Sequence, residues 1–251
     1  MLLFFWITLS FLVVFYILGF FVDLAVDHIS PEMEATIFSP IDVSYSEMTD
    51  SDNPKEAALQ LLTNELRKCV DIAYPLKVYL MESDEANAMA LPGGRIIVLS
   101  GLLAEVQSEN GLSFVLAHEL AHFKNRDHLR GLGRGIVLTA MMAYLTGSDS
   151  SLTRLFAPAA GFSHARYSQE RETMADLVAL HTLACHYGHA RGATEFFEAM
   201  KPEENGNKIG LYFATHPEAV KRIENLHQMV VEKGLRVDTV RQLSSDLSFR
   251  L

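Results

Sequence analysis

The pattern of apolar and polar positions divides the chain into unequal parts. Residues 1–22, MLLFFWITLSFLVVFYILGFFV, hold no charged side chain, and about 20 apolar residues suffice for a helix to cross the hydrocarbon core of a bilayer. No Lys or Arg precedes the run, and its exit, VDLAVDH, lacks the small residues of a signal-peptidase site. The pattern therefore predicts one uncleaved transmembrane helix over 1–22. Residues 23–53 are rich in acids and turn formers and read as an irregular connector. Asn53-Pro54 then offers a cap and a first-turn proline, followed by apolar residues at helical spacing: Ala58, Leu62, Leu66, Cys69 and Ala73. Lys77–Met81 reads as a short strand. NAMALPGGRIIVLS places two strand-like runs around Pro92-Gly93-Gly94, a hairpin signal. Helices are expected over about 101–106, 109–127 and 167–187. The apolar run Ile136–Leu145 is too short to span a bilayer and reads as a core or interfacial helix. His216-Pro217 opens a last helix that Gly234 can close, and residues 236–251 form a polar, peripheral tail. The expected architecture is α+β, mainly helical, with a small sheet in a domain over 54–235.

Composition narrows the function. A formal charge of −10 argues against nucleic acid, whose phosphates reward basic surfaces. The first basic residue is Lys55, and residues 23–56 carry nine acidic groups against that one lysine. A flank without Lys or Arg suits the outer side of a membrane, so the domain is expected to face outward (periplasmic, in a bacterium). Two cysteines, Cys69 and Cys185, make neither a disulfide framework nor a Cys-rich metal module. They are expected to be free, buried thiols.

The chemistry concentrates in HELAHFKNRDH, residues 118–128. On a helix, His118 and His122 share a face and can present ring nitrogens to one metal ion. Glu119, one step round, is placed to take a proton from a water polarised by the metal. Zinc normally requires a third protein ligand, and two residues qualify. His128 completes the spacing H-E-x-x-H-x5-H of the metzincins, although Asn125 stands where that pattern has glycine. Alternatively, Glu172 in YSQERETMADLVAL lies i, i+4 from Asp176, so a helix puts both carboxylates on one face. Asp176 could then orient a ligand histidine. The residues alone leave the choice open.

Four blocks in order resemble peptidase family M48, a group of membrane-bound and membrane-associated zinc metalloproteases: NAMALPGGRIIVLSGLL, VLAHELAHFKNRDH, YSQERETMAD and ATHPEAVKRI, together spanning residues 87–223. The resemblance implies a zincin-like fold with an exposed sheet edge, zinc held by His118, His122 and Glu172, Glu119 as catalytic base, and Asp176 beside a ligand histidine. It implies that His216 lies near the metal and can stabilise an oxyanion. It also assigns Asn87, Ala88, Met89 and Ala90 to an edge strand that pairs with extended, unfolded protein substrates. His128 then becomes a bystander. Gln169 departs from the family's usual arginine after Ser168. The expected activity is a membrane-anchored metalloendopeptidase acting on misfolded or membrane-associated proteins. A non-hydrolytic chaperone on the same fold and a metzincin-type protease using His128 are the alternatives.

Overall fold

A computed structural model describes residues 1–39, 53–72, 74–146, 169–199, 216 and 219–248. It is mainly helical, with one three-stranded sheet among the described residues. The elements fall into two compact units.

One unit contains α1 (Leu2–Asp27) and α6 (Asp127–Thr146). α1 continues past Val22 to Asp27, and over Phe4–Asp27 it is long and apolar enough to cross a membrane. The run Ile136–Leu145 is not an isolated short helix. It forms the second half of the 20-residue α6, whose first half, DHLRGLGR, is polar and escapes a hydropathy reading.

The second unit is built around α5 (Glu109–Asn125), every residue of which from Asn110 to Phe123 is buried. α3 (Pro54–Val70) and α7 (Gln169–Tyr187) pack along it. Asn53 caps α3 as expected, its side-chain oxygen accepting the Lys55 N–H at 3.0 Å. Leu59, Leu66, Phe114, Leu120, Leu180 and Phe196 belong to the core between these helices and the sheet.

The sheet comprises β1 (Lys77–Met81), β2 (Ala88–Leu91) and β3 (Arg95–Leu99), in the order β1-β3-β2. β1 runs parallel to β3, and β2 runs antiparallel to it with Ala90 opposite Ile96. The hairpin turn uses Gly93 and Gly94 at φ +86° and +82°, a region that side chains with a Cβ rarely enter. The order leaves β2 at an edge, as the family resemblance implies. The short helices α4 (Ser100–Glu105) and α8 (Glu195–Ala199) complete the layer, and α9 (Ala219–Glu232) is followed by Gly234 at φ +60°. Pro217, expected to open α9, lies outside the described residues.

Three expectations are corrected. The stretch read as irregular contains a helix, α2 (Pro31–Ile37). Its buried Glu34 accepts hydrogen bonds from Tyr74 Oη (2.7 Å) and the Gly93 N–H (2.6 Å) of the hairpin turn, contacts that only the folded chain supplies. The C-terminal segment is mostly exposed but is anchored at points the expectation omitted: Leu247 is buried, and Glu109 N–H donates to the Arg241 carbonyl at 2.9 Å. Finally, Cys69 on α3 and Cys185 on α7 are joined as a disulfide, Cα to Cα 6.0 Å, across 116 residues of sequence. Spacing along the chain gives no sign of such a partnership. Packing α3 and α7 on α5 creates it.

Candidate active site

Burial of α5 on all sides sets the problem for its polar residues, since a buried imidazole or carboxylate without a partner is costly. His118, Glu119 and His122 are all 0–1 % exposed. The helical repeat brings the two histidine rings to a centroid distance of 4.7 Å, with their Nε2 atoms 3.1 Å apart.

α7 answers from the facing side. Its i, i+4 repeat presents Glu172 and Asp176, both 2 % exposed, on one face. Glu172 oxygens lie 3.4 Å from His118 Nε2 and 3.7 Å from His122 Nε2. Asp176 Oδ1 is 3.0 Å from His118 Nδ1, a contact that in the neutral ring holds the proton on Nδ1 and turns the Nε2 lone pair toward a metal. His216, also buried, brings Nδ1 within 3.3 Å of His118 Nε2 and 3.0 Å of Glu172 Oε1. Ligands around a tetrahedral ion at bonds of about 2.0–2.1 Å stand roughly 3.3 Å apart. The donor atoms of His118, His122, Glu172 and His216 are already at that spacing, so the residues fit a metal ion.

Glu119 is the second carboxylate beside these rings and belongs to the same close group as His118, His122 and His216. Its surroundings differ: one oxygen is hydrogen-bonded to the sheet edge and the other has no hydrogen-bond partner among the described residues. Oε2 accepts the Ala90 N–H at 2.8 Å, and Oε1 lies 3.6 Å from His216 Nε2. Glu172, by contrast, faces three imidazoles.

The electrostatics separate the groups. Burial opposes charge on His118, as does Arg222, but its bonds with Asp176 and Glu172 win and lift its pKa to about 9. Burial also opposes charge on Glu172, yet His216 and His118 hold it well below the usual carboxylate range. Asp176 is likewise lowered against its burial, chiefly by Arg222. Burial pushes His216 down to about 4 despite Glu172. Burial lifts Glu119 to about 7, against the pull of His118 and the Ala90 N–H. The pocket therefore favours positive charge between the imidazoles and Glu172, which is what a cation would provide. Next to it stands a carboxylate able to hold a proton near neutral pH.

The remaining expected residues sort as follows. Asn87, Ala88 and Ala90 are buried and Met89 is half-buried. β2 itself starts at Ala88, and the Asn87 carbonyl accepts the Leu99 N–H at 2.9 Å. The N–H of Ala90 reaches Glu119, so this edge runs directly beside that carboxylate. Both polar atoms of the Asn87 amide are buried without a hydrogen-bond partner among the described residues. His128 sits in the first turn of α6. Gln169 is the exposed first residue of α7; Ser168 lies outside the described residues.

Sequence reasoning overlooked Arg222. It is 4 % exposed, donates from Nε and Nη2 to Asp176 (2.8 and 2.6 Å), and places Nη1 2.8 Å from Glu172. Its guanidinium also lies over the Phe197 ring, 4.5 Å from the centroid. One signal was available: Arg222 shares the buried face of α9 with Leu226, an arginine inside an apolar stripe. Such a residue usually answers buried acids.

Residues 53–230 match the family model described as peptidase family M48. Among similar proteins is the mitochondrial metalloendopeptidase OMA1 of Schizosaccharomyces pombe, 29 % identical over 65 % of this chain and 49 % of the relative. The corresponding Arabidopsis thaliana protein is 28 % identical over 64 % of this chain and 33 % of its own length. A protease HtpX homolog of Salinibacter ruber is 28 % identical over 67 % of this chain and 72 % of the relative. The chain thus spans half or less of the OMA1 relatives and nearly three quarters of the HtpX homolog.

Proposed function

Because the chain belongs to peptidase family M48, we propose that it is a zinc-dependent endopeptidase, anchored in a membrane by α1, that cleaves extended segments of misfolded or membrane-associated proteins. The observation that carries this reading is the convergence of His118 Nε2, His122 Nε2 and a Glu172 carboxylate within 3.1–3.7 Å of one another beside a buried Glu119.

His118, His122 and Glu172 hold the zinc in this proposal, and Asp176 keeps His118 in the tautomer that offers Nε2. Bound there, zinc would supply a Lewis acid that polarises a water and the scissile carbonyl. Glu119 accepts the water proton and hands it to the departing amine, a task suited to its pKa of about 7. His216, neutral near pH 7, donates a hydrogen bond to the carbonyl oxygen as negative charge develops on it. The substrate lies extended along β2, where the buried, unpartnered Asn87 amide is available to its backbone. Folded proteins seldom offer such a segment, so unfolded chains are the expected substrates.

The catalytic domain is proposed to face the outer, oxidising side of the membrane. Two independent features support that side: the missing Lys and Arg before Lys55, and the Cys69–Cys185 bridge, which persists only in oxidising compartments.

The deciding experiment is Glu119→Gln, which removes the base while nearly preserving its shape. Cleavage of casein should fall by about 10²–10⁴-fold, with zinc content and casein binding intact. Equal cleavage by wild type and variant would mean that Glu119 is not the base. Absence of cleavage by either, with casein still bound, would favour a holding rather than a hydrolytic role.

A further inference from the structure

We propose that the apolar half of α6, Ile136–Leu145, is immersed in lipid beside α1, so that the protein meets its membrane with a two-helix unit whose groove is filled by phospholipid acyl chains. The proposal rests on the reading of α1 as a membrane span.

The two helices run antiparallel within their unit. At one end Arg130 and Arg134 are ion-paired with Asp27 and Asp23. Toward the other end, Trp6, Phe11 and Val14 of α1 and Val137, Met141 and Tyr144 of α6 line a shared groove of about 700 Å³. The backbones come close between these ends. A Cβ on Gly133 would stand 2.5 Å from Val22 Cγ1, so only glycine permits the approach. Close contact through a small residue is how helices associate where no water drives them together.

Charge along α6 stops abruptly. All its acidic and basic residues lie within Asp127–Arg134, whereas IVLTAMMAYL carries no charge. The Arg–Asp pairs therefore mark one polar boundary for both helices. From that boundary α1 extends back through 21 uncharged positions, Leu2–Val22, roughly 31 Å at 1.5 Å per residue. The ten residues of α6 reach about 15 Å, or half of a hydrocarbon core about 30 Å thick. α6 also turns apolar side chains outward: Ile136, Tyr144 and Leu145 are 53 %, 90 % and 59 % exposed. A span on α1 already sets these residues at hydrocarbon depth. Acyl chains are the occupant continuous with that span, and they can wet both the groove and the outer face.

The chain's only tryptophan, Trp6, lies on α1 and lines the groove, which makes bromolipid quenching a direct test. Full-length protein is reconstituted in phosphatidylcholine vesicles with or without bromine at mid-acyl positions. Native Trp6 reports on α1. Trp6→Phe/Tyr144→Trp reports on α6, Trp6→Phe/Leu145→Trp provides a second reporter, and Trp6→Phe/Lys68→Trp reports on the exposed domain surface. Retained casein cleavage verifies that each variant is folded. Trp6 and both α6 reporters should lose at least half of their emission in brominated vesicles, with the Lys68 reporter unchanged. Quenching of Trp6 but not of either α6 reporter would overturn the proposal and leave the anchor standing. If Trp6 is not quenched either, the anchor reading falls with it. α6 reporters shielded from both bromolipid and aqueous acrylamide would mean that protein, a second copy or a substrate helix, covers this face instead of lipid.

Discussion

Arg222 makes a prediction whose size can be worked from its surroundings. It forms a fork on Asp176 and a further ion pair with Glu172, all three side chains being 2–4 % exposed. Arg222→Met keeps much of the volume but leaves two buried carboxylates without their cation. Breaking a buried pair in this way costs about 3–5 kcal/mol, roughly 10²–10⁴ in the folding equilibrium. A metal ion would restore counter-charge to Glu172 but not to Asp176, so the zinc-loaded variant should lose less than the zinc-free one. Arg222→Lys retains the charge but not the planar fork and should fall between wild type and Met. Urea unfolding of the full chain in detergent, with and without zinc, measures these differences, and a chelator competition measures zinc affinity. The cycle with Asp176→Asn separates mechanisms: once Arg222 is Met, neutralising Asp176 should recover stability. A loss below about 1 kcal/mol in zinc-free Arg222→Met, or no coupling in the cycle, would refute the view that Arg222 holds the two acids in place.

Three further outcomes are expected. Glu172→Ala should abolish stoichiometric zinc binding while His128→Ala keeps most of it; the reverse result, read by metal analysis, would transfer the third ligand to His128. Cys69→Ser should remove the cross-link between α3 and α7 and lower stability by up to about 4–5 kcal/mol, the loop-closure value for a span of this length, and protein from intact cells should shift on non-reducing gels upon reduction; a wild-type protein carrying two free thiols would refute the bridge and weaken the outward topology. Zinc-free protein should lose thermal stability as pH rises from about 6.5 to 9. His118 has its pKa raised to about 9, so its contribution is complete below the unfolded value near 6.5 and is lost as pH passes the folded one. Glu119, raised from 4.5 to about 7, costs stability between those two values, so most of its effect is complete before this interval begins. A flat melting profile over this interval, or one unaffected by His118→Gln, would contradict the assignment.

What the sequence by itself determined is whatever a single helix or hairpin enforces. The repeat of α5 obliges His118 and His122 to share a face, that of α7 does the same for Glu172 and Asp176, and Asn53-Pro54 and Pro92-Gly93-Gly94 start α3 and turn the hairpin through local backbone preference. The uncharged run of residues 1–22 marks a helix apolar enough to cross a membrane for the same reason, since hydropathy adds along one continuous helix. Only the tertiary structure shows which candidate lies against the histidine pair. Glu172 and His128 are both admissible by type and spacing, and the packing of α7 along α5 brings a Glu172 oxygen to 3.4 Å from His118. The same packing turns Arg222 inward onto Asp176, pairs Cys69 with Cys185, and buries Glu34 beneath Gly93. Each of these partnerships joins residues from separate elements. Their energies depend on distance and burial in three dimensions, and neither quantity is written in the spacing of residues along the chain.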